Sequence, residues 1–367
     1  MSKNIAGIKH KPDSILLYTS ITLVVLGILT LASVSASVSY RKFDSTFYFL
    51  KHQITAGLIP GIILGFLAFK QNLDWIKKKA PVIFLFNLLL LFIVILPKII
   101  GITKGTIRAL NLGPFTNQPA EFLKLTIILY LASWWSSHQN KKNLSLVIFL
   151  IIMSVVGFLM VLQPNVSTFG IIAIIALIVY FAADSSFWHT PLLALIGFAA
   201  FILLMTGADY RNNRLAVFFD PETDPMGIGY QSKQALITIG SGGLAGVGIG
   251  LSQQKFGLLP ELISDSIFAI FAEETGFIGS FILISLFVLF AWRGFRIAYR
   301  SQDAFNQLTV VGISSWIILQ AFINISTMIS LVPLTGVPLP FMSYGGSALI
   351  SELIGVGLLL NISKEST

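Results

Sequence analysis

The sequence has no cysteine and few charged residues. Asp, Glu, Lys and Arg make up 11% of its 367 residues, whereas about 25% of a soluble domain is charged. Without cysteine, disulfides, thiolate catalysis and Cys-ligated metal sites are excluded. The four histidines are scattered and show no metal-ligand spacing, so the sequence predicts no zinc site.

Apolar residues are abundant instead. They make up 55% of the chain, enough to fill roughly ten helices of about 20 residues each. This excludes an ordinary soluble globular domain and a disordered chain. The first apolar run begins at Ser14 and extends over about 20 residues, longer than the 7–15 of a cleaved signal peptide. We therefore interpret it as the first membrane span.

The sequence predicts an all-α polytopic membrane protein that forms a single domain over residues 1–367. The predicted spans lie near residues 14–35, 54–69, 81–100, 118–136, 144–163, 168–184, 190–206, 266–292, 307–332 and 345–362. An even number of spans places both termini on one side. Short basic clusters such as residues 77–79 fall on that side, which indicates the cytoplasm. Residues 1–13 are then a cytoplasmic N-terminus, and residues 207–265 form a long extracytoplasmic loop between the seventh and eighth helices.

The long loop contains two features of interest. From Gln231 to Ser241, a polar stripe that includes Thr238 lies opposite apolar residues such as Leu236, which predicts a helix at the membrane surface. The following glycine segment, GSGGLAGVGIG (240–250), contains G-x-G-x-x-A, but no strand or βαβ unit accompanies it. We interpret its glycines as sites of tight turns or of close backbone approach, with a phosphate-bearing ligand as a candidate partner.

Charged residues inside spans are costly, at about 2.5–3.5 kcal/mol each near a helix centre. Glu121 and Lys124 share a helix face because they are three residues apart. Either the two residues form a structural ion pair within the fourth span, or the lysine faces an anionic substrate at the outer leaflet. Glu273 and Glu274 are expected to pair with neighbouring helices.

Asp265 stands at the outer end of the eighth predicted span, directly after GLLPELIS. It is either a helix N-cap or a general base that faces an aqueous cleft. A neighbouring Arg or Lys would keep it ionised. Lys255 and Glu261 are close in sequence, and the last outside loop, PLTGVPLPFMSYGGS, is rich in proline and glycine. Such rigid backbone is tolerated at membrane depth where it is buried or lines a cavity.

Five segments, in order, give the chain a family resemblance. GTIRALNLGPFTNQPAEFLKL, QPNVST, the stretch from GIGYQSKQ to LLPE, SDSIFAIFAEETGFIGS and NIS…PLTGVPLPFMSYGGS resemble motifs of the SEDS family (shape, elongation, division and sporulation), the FtsW, RodA and SpoVE proteins. The residues around QKF and LPE are more similar to those of FtsW and SpoVE than to those of RodA. Asn165 replaces a family Asp, and Ile263 replaces a family His.

The resemblance implies an inverting peptidoglycan glycosyltransferase of the bacterial cytoplasmic membrane. Such an enzyme polymerises lipid II into glycan strands during cell division or related wall synthesis. Asp265 matches the family's proposed catalytic Asp. The predicted substrate-binding residues are Arg108, Glu121, Lys124, Arg214, Gln231, Lys255 and Ser343.

The resemblance also implies partners. These are a class B penicillin-binding protein, which is a single-span transpeptidase, and other division or elongation proteins, with no nucleic acid. The resemblance assigns no cofactor, and it leaves open whether a divalent cation assists the reaction. A lipid II flippase and a non-enzymatic scaffold for the transpeptidase are alternatives. No internal repeat is evident and polar residues concentrate on the outer face, which favours chemistry there over transport. A scaffold would not need Asp265.

Overall fold

The computed structural model describes residues 11–100, 108–112, 115–138, 142–183, 186, 188–206, 209–257 and 259–365. In these ranges the chain forms α-helices and one short antiparallel hairpin, in which Leu110 lies opposite Asn117. The helices are α1 (Ser14–Phe43), α2 (Tyr48–Gln53), α3 (Ile59–Lys70), α4 (Leu73–Ile99), α5 (Pro119–Ser137), α6 (Lys142–Leu162), α7 (Val166–Ala182), α8 (His189–Thr206), α9 (Asp209–Phe219), α10 (Ile228–Ser241), α11 (Ile267–Arg300), α12 (Ala304–Met328) and α13 (Gly346–Ser363). The hairpin strands are β1 (Leu110–Leu112) and β2 (Phe115–Asn117).

Every predicted span coincides with helix in the structure. Within the described ranges, seven helical segments are long and apolar enough to cross a membrane: α1, the continuous stretch Tyr48–Lys70, α4, most of α6, α11, α12 and α13. Helix α7 and part of α8 are apolar but shorter. The all-helical polytopic class is therefore confirmed, and the exact number of crossings stays a prediction.

Close helix packing in the bundle depends on small residues. A π-helical turn, Ile54–Leu58, joins α2 to α3, and α3 lies against α13. A methyl group on Gly65 would come within 2.6 Å of the Leu353 carbonyl oxygen, and one on Gly357 within 2.1 Å of the Gly65 carbonyl oxygen. Glycine at both positions lets the two backbones touch, as is usual between membrane helices.

Helix α5 lies at the centre of the bundle. It packs against α4, α7, α12 and α13, and most of its residues are buried. Because protein rather than lipid surrounds it, α5 needs no continuous apolar face. This is why a charged pair, Glu121 and Lys124, is compatible with its first turns.

Helix α11 is broken at Gly276, where φ is 69°. The glycine segment after α10 fills the break: the amides of Val247 and Gly248 donate to the carbonyls of Glu273 and Glu274, at 3.0 and 3.1 Å. In return, the amides of α11 residues 277 and 278 donate to the carbonyls of residues 243 and 244, at 2.9 and 3.1 Å. The glycines thus allow the close backbone approach that the sequence predicts, and the partner is α11.

Side chains at this contact would collide. A methyl group on Gly246 would lie 2.3 Å from the Glu274 carbonyl oxygen, and one on Gly276 would lie 2.3 Å from the Gly246 amide nitrogen. The segment after the break, 277–300, is about 36 Å long at 1.5 Å per residue. It is therefore long enough to cross a membrane without the part of α11 before the break.

Helix α10 lies with Thr238 and Ala235 fully buried and with Leu236 and Ile237 exposed. Exposed apolar side chains are compatible with a helix at the membrane surface, so that interpretation stays a prediction. The Thr238 hydroxyl donates to the Gln234 carbonyl at 2.6 Å within the helix, so its burial leaves no unpaired donor.

Candidate active site

Asp265 lies two residues before α11 and is 8% exposed. Ser266 occupies the N-cap position and makes no side-chain capping bond. Asp265 therefore does not cap α11, which removes the structural alternative considered from the sequence. One carboxylate oxygen, Oδ1, lies 3.1 Å from the Ser264 hydroxyl, which donates to it. The other, Oδ2, faces Gly336, where a methyl group would lie 3.8 Å away.

The backbone around Asp265 is held by α12 and by the proline- and glycine-rich loop before α13. The buried Asn324 amide nitrogen donates to the carbonyls of both Asp265 and Val337, each at 2.8 Å. The Tyr344 amide donates to the Ile263 carbonyl at 2.7 Å. One side chain of α12 thus fixes the Asp265 segment and the loop relative to each other.

Two predicted binding residues contact the same region, the Asp265 corner, which consists of residues 263–266 and the loop before α13. The Ser343 hydroxyl donates to the Ser264 carbonyl and accepts from the Leu339 amide. Gln231, on α10, lies 3.3 Å from the Ser266 hydroxyl and donates to it. Both residues therefore lie beside the Asp265 segment, as their assignment to one site requires.

The proton affinity of Asp265 is set by competing influences. Burial raises the pKa of the carboxyl, and the nearby Glu261 raises it further, whereas its own backbone amide, Ser264 and Arg214 lower it. The net direction is upward, because burial is the largest influence. The sequence predicts that a neighbouring cation keeps Asp265 ionised. Arg214 does lower the pKa of the carboxyl, but its effect is the smallest of the five and does not offset burial. Asp265 is consequently a stronger proton acceptor than a solvated Asp.

A cleft of about 630 Å³ opens between α9, α10 and residues 330–334. Arg214 and Lys233 line it, together with Tyr230, Glu222 and Leu334. The Arg214 guanidinium also donates to the carbonyls of residues 334 and 335, at 3.1 and 3.4 Å. These contacts anchor the cation beside the loop that carries Gly336, so one wall of the cleft is shared with the surroundings of Asp265.

Lys124 lies in the bundle interior and is 1% exposed. Its ammonium group donates to Glu121 Oε2 and to Gln320 Oε1, both at 2.7 Å, and lies 5.2 Å from the centre of the Trp316 ring. Gln320 in turn donates to the Pro338 carbonyl at 3.0 Å. Of the two interpretations of Glu121 and Lys124, this geometry favours the structural ion pair.

Lys255 is also enclosed. Its ammonium group lies 3.4 Å from Glu274 Oε1 and donates to the Gly250 carbonyl and the Ser33 hydroxyl. Glu273 accepts from the Ser252 hydroxyl, so both glutamates pair with neighbouring segments, as expected. The contacts of the described residues do not join Lys255 to Asp265; Glu261 is the nearby residue that reaches it, through Ser264.

Arg108 occupies an exposed position apart from these pairs. Its guanidinium donates to the Pro164 carbonyl at 2.9 Å. The backbone carbonyl of Arg108 accepts from the side-chain amide (Nε2) of Gln163 at 3.3 Å. Arg108 therefore holds the QPN turn before α7, where Asn165 is buried. Residues 101–107, which precede it in the first family motif, lie outside the described residues.

Two residues near the site were not among the predicted candidates. Asn324 belongs to the NIS segment, but a polar residue late in an apolar helix gives no sign of which carbonyls it binds. Lys233 lies on the same helix as Gln231, and its position in the cleft depends on how α10 is rotated. No cluster of three or more His, Asp or Glu in the described ranges could hold a metal ion.

The fold and this corner define a multi-pass membrane protein with a buried carboxylate beside a cation-lined cleft. The FTSW_RODA_SPOVE family, described as "Cell cycle protein", matches residues 13–367. The chain therefore belongs to the FtsW, RodA and SpoVE family, which confirms the resemblance seen in the sequence.

Individual relatives match along almost the whole chain. Stage V sporulation protein E of Bacillus subtilis (strain 168) is 37% identical over 98% of both chains. The probable peptidoglycan glycosyltransferase FtsW of Thioalkalivibrio sp. (strain K90mix) is 34% identical over 98% of this chain and 91% of that protein. A chain of the structure described as "Structural coordination of polymerization and crosslinking by a peptidoglycan synthase complex" has a TM-score of 0.77 at 24% identity, and the match covers 97% and 98% of the two chains.

Proposed function

We propose that the protein is a peptidoglycan glycosyltransferase that polymerises lipid II at the outer face of the bacterial cytoplasmic membrane. The observation that carries the proposal is Asp265, a buried carboxylate next to a cleft with two cations. A relative with 34% identity is named a probable peptidoglycan glycosyltransferase, which supports the same activity. Lipid II carries a disaccharide-pentapeptide on undecaprenyl diphosphate, so its reacting end is both sugar and anion.

In the proposed reaction, a hydroxyl oxygen of the acceptor sugar forms a bond to the anomeric carbon of the donor. The bond from that carbon to the diphosphate oxygen breaks, and the carbon is inverted. Asp265 takes the hydroxyl proton as general base. The diphosphate leaves as an anion and needs no proton, so one carboxylate is sufficient.

The cleft cations are proposed to hold the leaving diphosphate. Arg214 offers a planar fork of donors that matches phosphate oxygens, and Lys233 adds a mobile point charge. Positive groups aimed at the developing negative charge lower the barrier more than they strengthen ground-state binding. Arg108, Gln231 and Ser343 complete the proposed substrate-binding set. The enclosed Glu121, Lys124 and Lys255 are assigned to the fold.

The reaction requires the Asp265 corner to face outward. We infer that both termini are cytoplasmic, because short basic clusters such as residues 77–79 fall on their side. Cysteines introduced at Lys78 and Asp224 should react with an impermeant thiol reagent from opposite faces of the membrane. The natural chain has no cysteine, so the labelling has no background, and reaction of both from one face would contradict the topology.

A class B penicillin-binding protein is the proposed partner. The similar fold in a structure described as coupling polymerization and crosslinking supports an assembly in which a transpeptidase crosslinks the new strand. Copurification of the two proteins from detergent tests it. The partner should still bind Asp265→Asn, because that change leaves the transmembrane surface intact.

The decisive experiment is reconstitution into vesicles with lipid II and a count of glycan strands on a gel. Asp265→Asn removes the proton acceptor and keeps the size of the side chain. We expect strand synthesis to fall by roughly 10²–10⁴-fold, the usual effect of losing a general base, with an unchanged unfolding temperature. Asp44→Asn, at an exposed outer position, is the matched control. Near-normal synthesis by Asp265→Asn would favour the scaffold or flippase alternative.

A further inference from the structure

A second carboxylate lies close to Asp265 through a shared hydroxyl group. Ser264 Oγ is 2.9 Å from Glu261 Oε2 and 3.1 Å from Asp265 Oδ1. Glu261 is exposed, Ser264 is partly buried and Asp265 is buried. The three residues thus form a line from solvent to the proposed base.

The hydroxyl cannot serve both carboxylates at once. A serine hydroxyl has one proton to donate, and an ionised carboxylate can only accept. Glu261 and Asp265, when both are ionised, therefore compete for one hydrogen bond, and Glu261 is the nearer of the two. Protonation of Asp265 ends both this competition and the repulsion between the two negative charges.

We propose that Glu261 and Ser264 are positioning residues that act on the Asp265 carboxylate in opposite directions. Ser264 stabilises the ionised form by donating to Oδ1, and Glu261 favours the protonated form by repulsion and by drawing the hydroxyl away. This inference rests on the proposed role of Asp265 as general base. It adds that an exposed glutamate outside the substrate cleft adjusts the strength of that base.

Given its neighbours on other elements, Glu261 and Ser264 are the main adjustable influences on the proton affinity of Asp265. Among the described side chains, the charged groups that act on Asp265 are Glu261 on its own segment and Arg214 on α9. Helix α12 faces it with the neutral Asn324, and the loop before α13 faces it with Gly336. Glu261 raises the pKa of Asp265 and Ser264 lowers it, in agreement with the geometry.

Proton transfer in the reaction fits this arrangement. The acceptor hydroxyl gives its proton to Asp265, on the oxygen that faces Gly336, as the oxygen–carbon bond forms and the diphosphate departs. Asp265 becomes neutral, and Ser264 is then free to donate to Glu261. The charge lost at Asp265 therefore relieves an unfavourable contact at the moment when the proton arrives.

The test is the pH dependence of the initial polymerisation rate in vesicles at saturating lipid II. Glu261→Gln removes the repelling charge, so the acid limb should move to lower pH. Ser264→Ala removes the donor to the ionised carboxylate, so the acid limb should move to higher pH. We expect shifts of roughly 0.5–1 pH unit, smaller than those of fully buried neighbours because Glu261 is exposed. Asp44→Asn removes an outer-face carboxylate elsewhere and should leave the limb in place.

Opposite movements of the two variants would support the proposal, since a general loss of folding lowers the rate at every pH. Acid limbs that coincide with that of the wild type, or that move in the same direction, would overturn it. Should Ser264→Ala fail to fold, Glu261→Gln decides the matter alone, because its side chain is exposed. Failure of the proposed function is distinct: Asp265→Asn would then polymerise lipid II at a near-normal rate.

Discussion

Two buried charges in the molecule have very different surroundings. Lys124, in the bundle interior, has an ionic partner in Glu121 and a second hydrogen bond to Gln320, both at 2.7 Å. Asp265, at the cleft, receives one hydrogen bond from another described side chain, Ser264, and that hydroxyl is also within reach of Glu261. Lys124 therefore has a carboxylate partner in direct contact, whereas Asp265 is held by a hydroxyl and its own backbone amide.

The difference separates a structural charge from a reactive one. A buried ion is tolerated when its partners replace the water it loses. Lys124 meets that condition, so its removal should affect the fold. Asp265 keeps an oxygen turned toward Gly336 and the neighbourhood of the cleft, so its removal should affect chemistry. A change at Lys124 should therefore lower mainly the stability of the protein, whereas a change at Asp265 should lower mainly the reaction rate.

The largest loss of stability is expected for Lys124→Ala. The change leaves Glu121 buried without its cation, and breaking one side of a buried pair costs about 3–5 kcal/mol. Chemical unfolding in detergent measures this loss. The double variant Lys124→Met with Glu121→Gln should recover much of it, because neither position of the pair then carries a charge. A stable Lys124→Ala protein that fails to use lipid II would restore the substrate-binding interpretation.

Arg214→Ala should have the reverse profile. We expect lipid II use to fall by roughly ten- to a hundredfold, equivalent to about 1.5–3 kcal/mol for a lost hydrogen bond to a charged group. Stability should change little, since the guanidinium is only partly buried. The comparison variant is Lys255→Ala, which should lose stability because it leaves the buried Glu274 without its cation, although the Ser33 hydroxyl still donates to it. Similar kinetics in Arg214→Ala and wild type would remove Arg214 from the site.

Two asparagines provide a matched pair of smaller changes. Asn324 donates to two carbonyls beside Asp265, and Asn361 donates to the carbonyls of residues 68 and 71, at 3.1 and 2.7 Å. Replacing either by Ala removes these two hydrogen bonds, and at Asn361 also one that its Oδ1 accepts from Lys364 at 3.2 Å. Each change should cost about 1–3 kcal/mol of stability. Only Asn324→Ala should also lower the polymerisation rate per folded molecule. Equal rates in the two variants would mean that Asn324 does not position Asp265.

The smallest effect is expected at Lys233, whose side chain is exposed in the cleft. Solvent-exposed charge pairs contribute about 0.2–1 kcal/mol, so Lys233→Gln should weaken lipid II use only a few-fold. Salt should reduce the difference between variant and wild type, because screening acts on exposed charges first. A deficit that persists unchanged at high salt would indicate that Lys233 contributes through packing.

Much of the fold follows from local sequence. Apolar runs of helical length predict the helices because each must hide its backbone polar groups from lipid. Asp265 is identifiable as a candidate because it stands at a helix start after a proline-containing loop and matches the family's proposed catalytic Asp. Not all partners of Lys124 and Lys255 are predictable in this way. Glu121 can be predicted as a partner of Lys124 because it is three residues away, but Gln320 and Ser33, which bind Lys124 and Lys255, are distant in sequence. A charge inside a span has the same local pattern whether it faces protein or substrate.

The break at Gly276 also escapes local analysis. A single glycine within an apolar stretch is compatible with an unbroken helix at a cost of about 1 kcal/mol. The break is stable because residues 243–248 supply its missing hydrogen bonds, and those residues precede the start of α11 by 19 to 24 positions. The glycines on both sides are recognisable, but their mutual contact is a property of the folded chain.

The four hydrogen bonds that close this break also fix the spacing of the residues from Gly243 to Gly248. Surface loops ordinarily tolerate insertions, but one residue added between Gly243 and Gly248 would displace these pairs together. The same insertion beside Met226, which is 89% exposed, should leave folding unchanged, and comparison of the detergent-soluble yields would measure the contrast. In its tolerance of length change, the glycine segment therefore belongs with the core helices, although its sequence has the composition of a loop.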